Sequence, residues 1–258
     1  MLNLDKSVDY RDPLIEKQLS KVRNIYVFAS GKGGVGKSLI AATTALLYSE
    51  AGYKTGLLDL DLHGPSSSTI LDINEFPREE EEGLYPPEKH GIKIMNIELF
   101  TRENPIPIDG FKKREIIKEI LALTYWGDIE YLILDMPPGT GDVLLSTLNL
   151  IHSSMKTYLI STPSKLSYRV VERLIKILRD YKAPIEGLIE NMSLLKYGGK
   201  ELAPFGYKRY EDILSRYDVP LLGRLPLDPE ASIAADEGDI KKLLKTDFAN
   251  ELKKILRL

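Results

Sequence analysis

The residues with the clearest chemical meaning lie in a glycine-rich segment, Ser30–Ser38, which reads SGKGGVGKS. An apolar run precedes this segment and a helical pattern follows it, so it joins a strand to the N-terminus of a helix. Glycines permit a tight turn whose backbone N–H groups point at one centre, which favours an anion. The Lys37 ammonium adds positive charge for the β- and γ-phosphates, and the Ser38 hydroxyl is a ligand for Mg²⁺. The segment therefore predicts a P-loop that binds a nucleoside triphosphate together with Mg²⁺.

Carboxylates at the ends of two apolar runs are the next candidates. Asp59 and Asp61 lie two residues apart in LDLDLHGPS, so their side chains point the same way from a strand end. Asp135 follows the apolar run YLIL, at the position where P-loop proteins hold Mg²⁺ directly or through water. We expect Ser38, Asp59 and Asp135 to form the metal site.

These residues need a scaffold, and the apolar pattern predicts an α/β fold with a mostly parallel sheet flanked by helices on both faces. Ligands of such sheets bind at the carboxyl ends of the strands. The predicted strands are Ile25–Ala29, Thr55–Leu60, Gly91–Leu99, Tyr131–Met136, Lys156–Ser161, Pro184–Glu190 and Pro220–Leu225. The predicted helices run from Lys37 to about Glu50, over Phe111–Tyr125, and near 165–181 and 209–217. Two stretches rich in glycine, proline or charge, 77–91 and 196–208, are predicted to be loops.

Length and composition limit the possible functions. The 258 residues predict one domain over 1–258, with an N-terminal extension at 1–22 and a C-terminal helix at 239–258. A net charge of −3 gives no general attraction for nucleic acid, and no apolar run is long enough to cross a membrane. The polar start of the chain lacks a signal-peptide pattern, so a cytoplasmic location is expected. The chain has no cysteine and therefore cannot ligate a metal cluster through thiolates.

Several motifs together resemble those of the Mrp branch of the Mrp/MinD family, which are ATPases with a deviant Walker A loop. The resemblance rests on a second lysine, Lys32, in the P-loop and on the segments DLDLHGPS, DMPPGTGD, ENMS and LPLDP. It implies ATP and ADP as ligands, and a homodimer in which Lys32 reaches the phosphates of the facing subunit. It also implies that Asp61 orients the attacking water, so the candidate catalytic residues are Lys32, Lys37 and Asp61.

The resemblance further implies which residues surround the nucleotide. The side chain of Asn191 is expected to contact adenine, because an amide offers one donor and one acceptor to the base. Pro226 and Asp228 are expected to border the base, and the absence of a guanine-reading NKxD pattern favours ATP over GTP. The remaining nucleotide-binding candidates are the loop residues Gly31, Lys32, Gly33, Gly34, Val35, Gly36, Lys37, Ser38 and Leu39.

The chain departs from this family in the segment after ENMS. Many members carry a CPxCG-like pair there, through which two subunits share one iron–sulfur cluster, whereas this chain reads SLLKYGGKELAPFG. In its lack of thiols it is similar to the archaeal Mrp/MinD-type HypB proteins of nickel–iron hydrogenase maturation. That likeness implies an ATP-driven switch for nickel insertion with a HypA-type nickel chaperone as partner.

Two alternatives to nickel insertion stay open. The first is an Mrp-like factor of iron–sulfur cluster assembly that lacks its own cluster cysteines. The second is a MinD- or ParA-like positioning ATPase. Its best support is an apolar stripe in the C-terminal segment, formed by Leu244, Phe248, Leu252 and Ile255, which would suit a membrane surface.

Overall fold

The computed structural model describes residues 9–62, 64, 66–101, 110–151, 155–206 and 210–258. The strands are β1 (Asn24–Ala29), β2 (Thr55–Asp59), β3 (Arg78–Glu80), β4 (Gly83–Tyr85), β5 (Glu88–Lys89), β6 (Ile92–Asn96), β7 (Tyr131–Asp135), β8 (Met155–Ser161), β9 (Ile185–Glu190), β10 (Leu195–Tyr197), β11 (Lys200–Leu202) and β12 (Leu221–Arg224). The helices are α1 (Arg11–Leu19), α2 (Lys37–Glu50), α3 (Ser67–Ile70), α4 (Ile97–Thr101), α5 (Gly110–Leu123), α6 (Asp142–Leu150), α7 (Lys165–Asp180), α8 (Glu211–Arg216), α9 (Pro229–Asp236), α10 (Ile240–Leu243) and α11 (Asp247–Leu256).

The main sheet has eight strands in the order β12-β9-β8-β1-β7-β2-β6-β5. Its strands pair in parallel except β5, which is antiparallel to β6. Strands β1 and β7 are buried along almost their whole length, as expected when helices cover both faces of a parallel sheet. The predicted fold class is therefore confirmed.

The order of the strands determines where a ligand site forms. From β1 the chain runs through α2 to β2 on one side, and from β8 it runs through α7 to β9 on the other side. The carboxyl ends of β1 and β8 thus flank a point where the chain turns in opposite directions, and such points form a crevice in open α/β sheets. The P-loop follows β1 directly and opens into this crevice.

Three predicted boundaries differ from the structure. Gly91–Leu99 is a strand only as far as Asn96, because the buried Asn96 Oδ1 accepts a hydrogen bond from Leu99 N (2.9 Å) and starts helix α4. The predicted loop 77–91 contains the hairpin β3–β4 and strand β5. The predicted loop 196–208 contains the hairpin β10–β11, whose turn residues Gly198 and Gly199 both have positive φ.

The two ends of the described chain pack against the domain. In the predicted N-terminal extension, helix α1 lies on α5, and Arg11 contacts the carboxylates of Glu115 and Glu119. The predicted C-terminal helix is divided into α10 and α11, because the Thr246 side chain caps a new helix by accepting from Ala249 N (3.2 Å). The single-domain organisation stays a prediction.

The apolar stripe of the C-terminal segment faces the protein. Phe248 and Leu252 are buried, and Leu244 and Ile255 pack against the same core. A Cβ at Gly223 of β12 would lie 2.6 Å from Ile255, so glycine lets α11 approach the sheet. This packing removes the support that the stripe offered for a membrane-associated positioning ATPase. Among the described residues, every helix lacks the length and apolar character needed to span a bilayer.

Candidate functional site

The P-loop adopts a tight turn that leaves its backbone exposed to a ligand. Gly34 and Gly36 have φ values of 73° and 79°, in the left-handed region that favours glycine. Gly36 is also the residue before α2, and a Cβ there would lie 2.3 Å from Asn191 Nδ2. Both the backbone conformation and the available space therefore require glycine at this position.

A buried ion pair lies beneath the loop. Lys37 is 6% exposed, Asp135 is 1% exposed, and Lys37 Nζ donates a hydrogen bond to Asp135 Oδ1. Asp59 is the neighbour of Asp135 in the register of β2 and β7, and it is also buried. One lysine and two carboxylates, distant in sequence, thus share a small buried space at the carboxyl edge of the sheet.

The Asp59 carboxylate is held by the backbone of the segment that follows it. Asp59 Oδ1 accepts from Asp61 N (3.0 Å) and Oδ2 accepts from Ser67 N (3.3 Å). Burial, together with the negative charge of Asp135, raises the pKa of Asp59 to about 7, and Lys37 acts in the opposite direction. A cation placed beside the two carboxylates would lower this pKa and favour their ionised forms.

The donor set fits Mg²⁺. Among the described residues, the buried Asp135 Oδ2 has no hydrogen-bond partner, so this acceptor is available to a cation or to a water molecule bound to it. The hydroxyl of Ser38, at the second residue of α2, lines the same cleft as the loop. Hydroxyl and carboxylate oxygens are the ligands that Mg²⁺ prefers. Ser38, Asp59 and Asp135 are the three residues predicted to bind the metal ion, and their role as ligands remains a prediction.

The P-loop forms one wall of an open cleft of about 520 Å³, a volume typical of small-molecule sites. Asp61 lines this cleft, so the structure brings the predicted catalytic carboxylate to the loop. Gly31 does not line it, because this residue packs against Val170 of α7. The predicted loop residues that line the cleft are Lys32, Gly33, Gly34, Val35, Gly36, Lys37, Ser38 and Leu39.

The sequence argument missed the walls opposite the loop. Ser66 and Thr69 lie at helix α3, and Ser232 and Asp236 lie on helix α9. The Asp228-Pro229 pair is a helix-start signal, because Asp caps a helix and Pro is favoured at its first turn. That signal could have placed α9, but its approach to the loop depends on tertiary packing.

Lys32 occupies a different position from Lys37. Its Nζ lies 3.4 Å from Ser164 Oγ, at the N-cap of α7, on the β8 side of the crevice. The segment after β7 also touches the loop, since Gly139 N donates to Ser30 O (2.8 Å). His63, two residues after the predicted catalytic Asp61, lies outside the described residues.

The Asn191 side chain is hydrogen-bonded to the backbone of the P-loop. This buried side chain donates from Nδ2 to Val35 O (2.8 Å), and its Oδ1 has no hydrogen-bond partner in the part of the chain that the structure describes. The next residue, Met192, has a φ of 55°, a conformation that costs about 1 kcal/mol or more for a side chain of this size. A free acceptor oxygen suits the amino group of adenine, and the predicted contact with the base stays a prediction.

Pro226 and Asp228 lie apart from the loop, in a depression of about 420 Å³ beside α10 and α11. Asp228 Oδ1 accepts from Glu230 N (3.0 Å), and its Oδ2 accepts from Phe248 N (3.0 Å). The carboxylate thus caps the starts of both α9 and α11. The predicted role of Pro226 and Asp228 at the base also stays a prediction.

Comparison with known proteins identifies the class. The family model described as ParA, NUBPL iron-transfer P-loop NTPase, matches residues 21–257. The chain belongs to this family of P-loop NTPases. An Archaeoglobus fulgidus nucleotide-binding protein, solved in complex with ADP, is 29% identical, with a TM-score of 0.78 over 92% of this chain and 95% of that one. The Pyrococcus furiosus cell division ATPase MinD shares the fold at 20% identity and a TM-score of 0.65.

Several curated relatives of this chain share one name. The iron-sulfur cluster carrier protein of Methanocaldococcus jannaschii is 34% identical over 98% of this chain and 89% of its own length. The protein of the same name from Mycobacterium leprae is 35% identical over 97% of this chain. The chain spans 67% of the Mycobacterium leprae protein and 62% of the Mycobacterium tuberculosis H37Rv protein, about two thirds of their length or less.

These relatives show that the interpretation as a HypB-like nickel-insertion ATPase is wrong. Relatives with 32–37% identity are named iron-sulfur cluster carriers. The physical reason for the error is that the motifs indicate nucleotide binding and carry no information about a metal. The lack of cysteine thiols is compatible with a role in nickel insertion and with a role in iron–sulfur cluster assembly. Among the described residues, no group of three or more His, Asp or Glu side chains is placed to hold a metal ion. The HypA-type partner rested on that interpretation and has no other support.

Proposed function

We propose that this protein is a Mg²⁺-dependent ATPase that acts as a dimeric nucleotide switch in iron–sulfur cluster assembly, without ligating the cluster itself. The observation that carries this proposal is the Lys37–Asp135 pair beneath a P-loop, with Asp59 beside it. Such a pair holds the lysine in place until a nucleotide supplies a stronger anion. The family and the names of the curated relatives support the cluster-assembly context.

The residues divide into phosphate and metal ligands. We expect the P-loop N–H groups to bind the phosphates and Lys37 to turn from Asp135 to the β- and γ-phosphates. Asp135, Asp59 and Ser38 would then be free to hold Mg²⁺ directly or through water. When bound, the metal ion offsets negative charge on the phosphates. The Oδ1 acceptor of Asn191, which has no hydrogen-bond partner among the described residues, would orient the adenine of ATP or ADP.

Hydrolysis needs two further side chains. Asp61 lines the cleft, and we expect it to orient a water molecule for attack on the γ-phosphate. The Lys32 ammonium group contacts Ser164 and is not part of the Lys37–Asp135 pair. This position suits a role in binding the phosphates of a second subunit. A second cation stabilises the charge that develops in phosphoryl transfer. The Gly139–Ser30 contact would transmit loss of the γ-phosphate to the segment after β7.

The absence of cysteine determines how this chain would take part in cluster assembly. With no thiolate in 258 residues, the cluster must be ligated by another protein, and this chain would change the affinity or geometry of that partner. A coupling of about 1.5–3 kcal/mol between nucleotide state and partner binding changes affinity roughly tenfold to a hundredfold.

The test combines hydrolysis with cluster transfer. The parent chain should hydrolyse ATP with Mg²⁺, Lys37→Ala should lose phosphate binding, and Lys32→Ala should keep nucleotide binding but lose most turnover. In the second arm, a cluster-loaded scaffold protein transfers its cluster to an apo-ferredoxin. ATP with the parent chain should change the transfer rate, and Lys37→Ala should abolish that effect. Unchanged nucleotide affinity in Lys37→Ala refutes the ATPase assignment, and a transfer rate independent of the parent chain refutes the cluster-assembly role.

A further inference from the structure

Positive charge collects on the exposed face of helix α7. We define the basic stripe as Lys165, Arg169, Arg173 and Lys176, whose side chains are all exposed. Residues three and four apart are neighbours on a helix surface, so these four lie in one row on the side away from the buried face of α7. At 1.5 Å per residue the row is roughly 16 Å long. The basic stripe is thus a local positive surface on a chain whose net charge is −3.

The charge of the basic stripe is largely not neutralised by the protein itself. Lys176 pairs with the carboxylate of Glu172 (3.3 Å), which Arg216 of α8 also contacts (3.2 Å). The other three members of the stripe form no ion pair within the part of the chain that the structure describes. One carboxylate is therefore shared between two cations, and the rest of the stripe stays positive.

The arrangement of these cations does not serve the stability of the helix. Like charges four residues apart repel each other, and the stripe contains two such pairs, Lys165–Arg169 and Arg169–Arg173. Lys165 also lies in the first turn of α7, where the helix dipole favours acidic residues. A face that is merely solvated gains from mixed pairs of Glu and Lys at this spacing. The basic stripe therefore indicates a surface that meets negative charge from outside the chain.

Helix α7 also contacts the P-loop, so its outer face lies close to the nucleotide site. A Cβ at Gly31 would collide with the Val170 side chain, so the loop backbone packs directly on α7. Lys32 Nζ lies 3.4 Å from Ser164 Oγ, at the N-cap of the same helix. A change in the P-loop on nucleotide binding therefore reaches α7 through two contacts.

We propose that the basic stripe docks an acidic surface of the protein that carries the iron–sulfur cluster. The inference rests on the proposed function, in which a partner ligates the cluster because this chain has no thiolate. An iron–sulfur cluster with four thiolate ligands has a net negative charge, since the sulfides and thiolates together outweigh the iron ions. A partner with acidic residues around such a cluster complements the stripe. Docking on α7 places this partner against the helix that touches the P-loop.

The size and surroundings of the basic stripe favour a protein over nucleic acid or a membrane. Binding to DNA draws on many contacts along a repeating row of phosphates, whereas this row of cations is short and ends at the exposed Asp180. A helix that lies on a membrane presents an apolar face outward, whereas the apolar face of α7 is buried in the domain. A compact acidic patch on a folded partner matches the stripe in both extent and charge.

The test measures binding of a labelled, cluster-loaded acidic scaffold protein by fluorescence anisotropy. The parent chain should bind it, and the affinity should fall at high salt because exposed charges are screened. The charge-reversed variant, Arg169→Glu with Arg173→Glu, should weaken binding roughly tenfold or more, because two attractive charges become repulsive. Arg169→Lys with Arg173→Lys keeps the charge and should retain most of the affinity.

The matched control is Lys241→Glu with Lys253→Glu, which changes the net charge by the same amount at exposed positions of α10 and α11. The crossovers through α2 and α7 run in opposite directions along the sheet, so right-handed connections place these two helices on opposite faces. Helix α11 packs on α2, which puts Lys253 on the face away from the basic stripe. The control should bind the scaffold protein like the parent.

A second readout is transfer of the cluster from this scaffold protein to an apo-ferredoxin. The parent and the control should change the transfer rate with ATP. The charge-reversed variant should lose this effect while its ATP turnover stays at the level of the parent.

The outcomes separate the inference from the proposed function. A charge-reversed variant that binds the scaffold protein and changes transfer like the parent overturns the inference and leaves the proposed function intact. A parent chain that changes transfer without binding the scaffold protein overturns it as well. Tighter binding of duplex DNA or of phosphatidylglycerol vesicles, lost in the charge-reversed variant, assigns the basic stripe to a different anion and also overturns it. If the parent chain leaves transfer unchanged in every nucleotide state, the proposed function fails and the inference falls with it.

Discussion

Replacing Lys37 by methionine tests whether the buried ion pair contributes to the stability of the nucleotide-free protein. Methionine keeps most of the length of the side chain but removes the cation that donates to Asp135. Asp135 is 1% exposed, lies next to Asp59, and would lose the cation that it pairs with. Removing one partner of a buried pair typically costs about 3–5 kcal/mol, because the remaining charge is desolvated and uncompensated. Against a total stability of about 5–15 kcal/mol, this loss is large.

The assay is urea unfolding of the parent and Lys37→Met without nucleotide. With a slope of about 3 kcal/mol per molar urea, the expected loss moves the midpoint down by about 1 M or more. The variant Lys37→Met with Asp135→Asn removes both charges and should recover most of the lost stability. A double-mutant cycle then isolates the coupling between the two side chains.

The loss should also depend on pH. Burial and the charge of Asp135 raise the folded-state pKa of Asp59 to about 7, whereas Lys37 opposes this rise. A carboxyl whose folded pKa is raised destabilises the fold when ionised, and protonation relieves that cost as the pH falls through the folded pKa. The penalty of Lys37→Met should therefore be larger at pH 8 than at pH 6. Equal stability of Lys37→Met and the parent at both pH values would refute the reasoning.

Three further outcomes are expected. Gly36→Ala places a Cβ against the Asn191 amide at a residue with positive φ, so nucleotide affinity measured by calorimetry should fall at least tenfold. The control is Gly52→Ala, which also has a positive φ but lies in open space, and it should leave nucleotide affinity unchanged. Arg11 and Lys118 hold the pKa of Asp9 well below its usual range, so Lys118→Met should lower the unfolding temperature at pH 7 and still lower it near pH 4. The effect should fade only at strongly acidic pH, as the pH falls through the lowered folded-state pKa, and an effect already absent near pH 4 contradicts this. Reconstitution with iron and sulfide should give no stoichiometric cluster absorbance after gel filtration, because the chain has no thiolate ligand; a retained cluster contradicts this.

Much of the fold could be predicted because it rests on short-range signals. The apolar runs placed β1, β2, β7, β8, β9 and β12 within about two residues of their observed limits, since a buried parallel strand is apolar throughout. The P-loop was equally clear, because its glycines act on their own backbone. The hairpin β10–β11 was missed although its Gly198-Gly199 turn is a strong hairpin signal.

The sequence motifs do not indicate which metal this protein would act on. Nothing in a nucleotide switch specifies which metal its partner carries, so the lack of cysteine was compatible with nickel or iron. Similarity over almost the whole chain to proteins named iron-sulfur cluster carriers overturns the nickel interpretation and supports the proposed role in cluster assembly.

The amino-acid sequence by itself determined which side chains are available for chemistry and which local segment presents each of them. Only the tertiary structure decided which of them meet. Lys37 and Asp135 are 98 residues apart, and they pair because β1 and β7 are neighbours in the sheet. The contact between Asn191 and Val35 O, and the double capping by Asp228, likewise depend on how distant elements pack. Periodicity and turn chemistry act over a few residues, whereas strand order is set by the burial of the whole core, so no local pattern contains it.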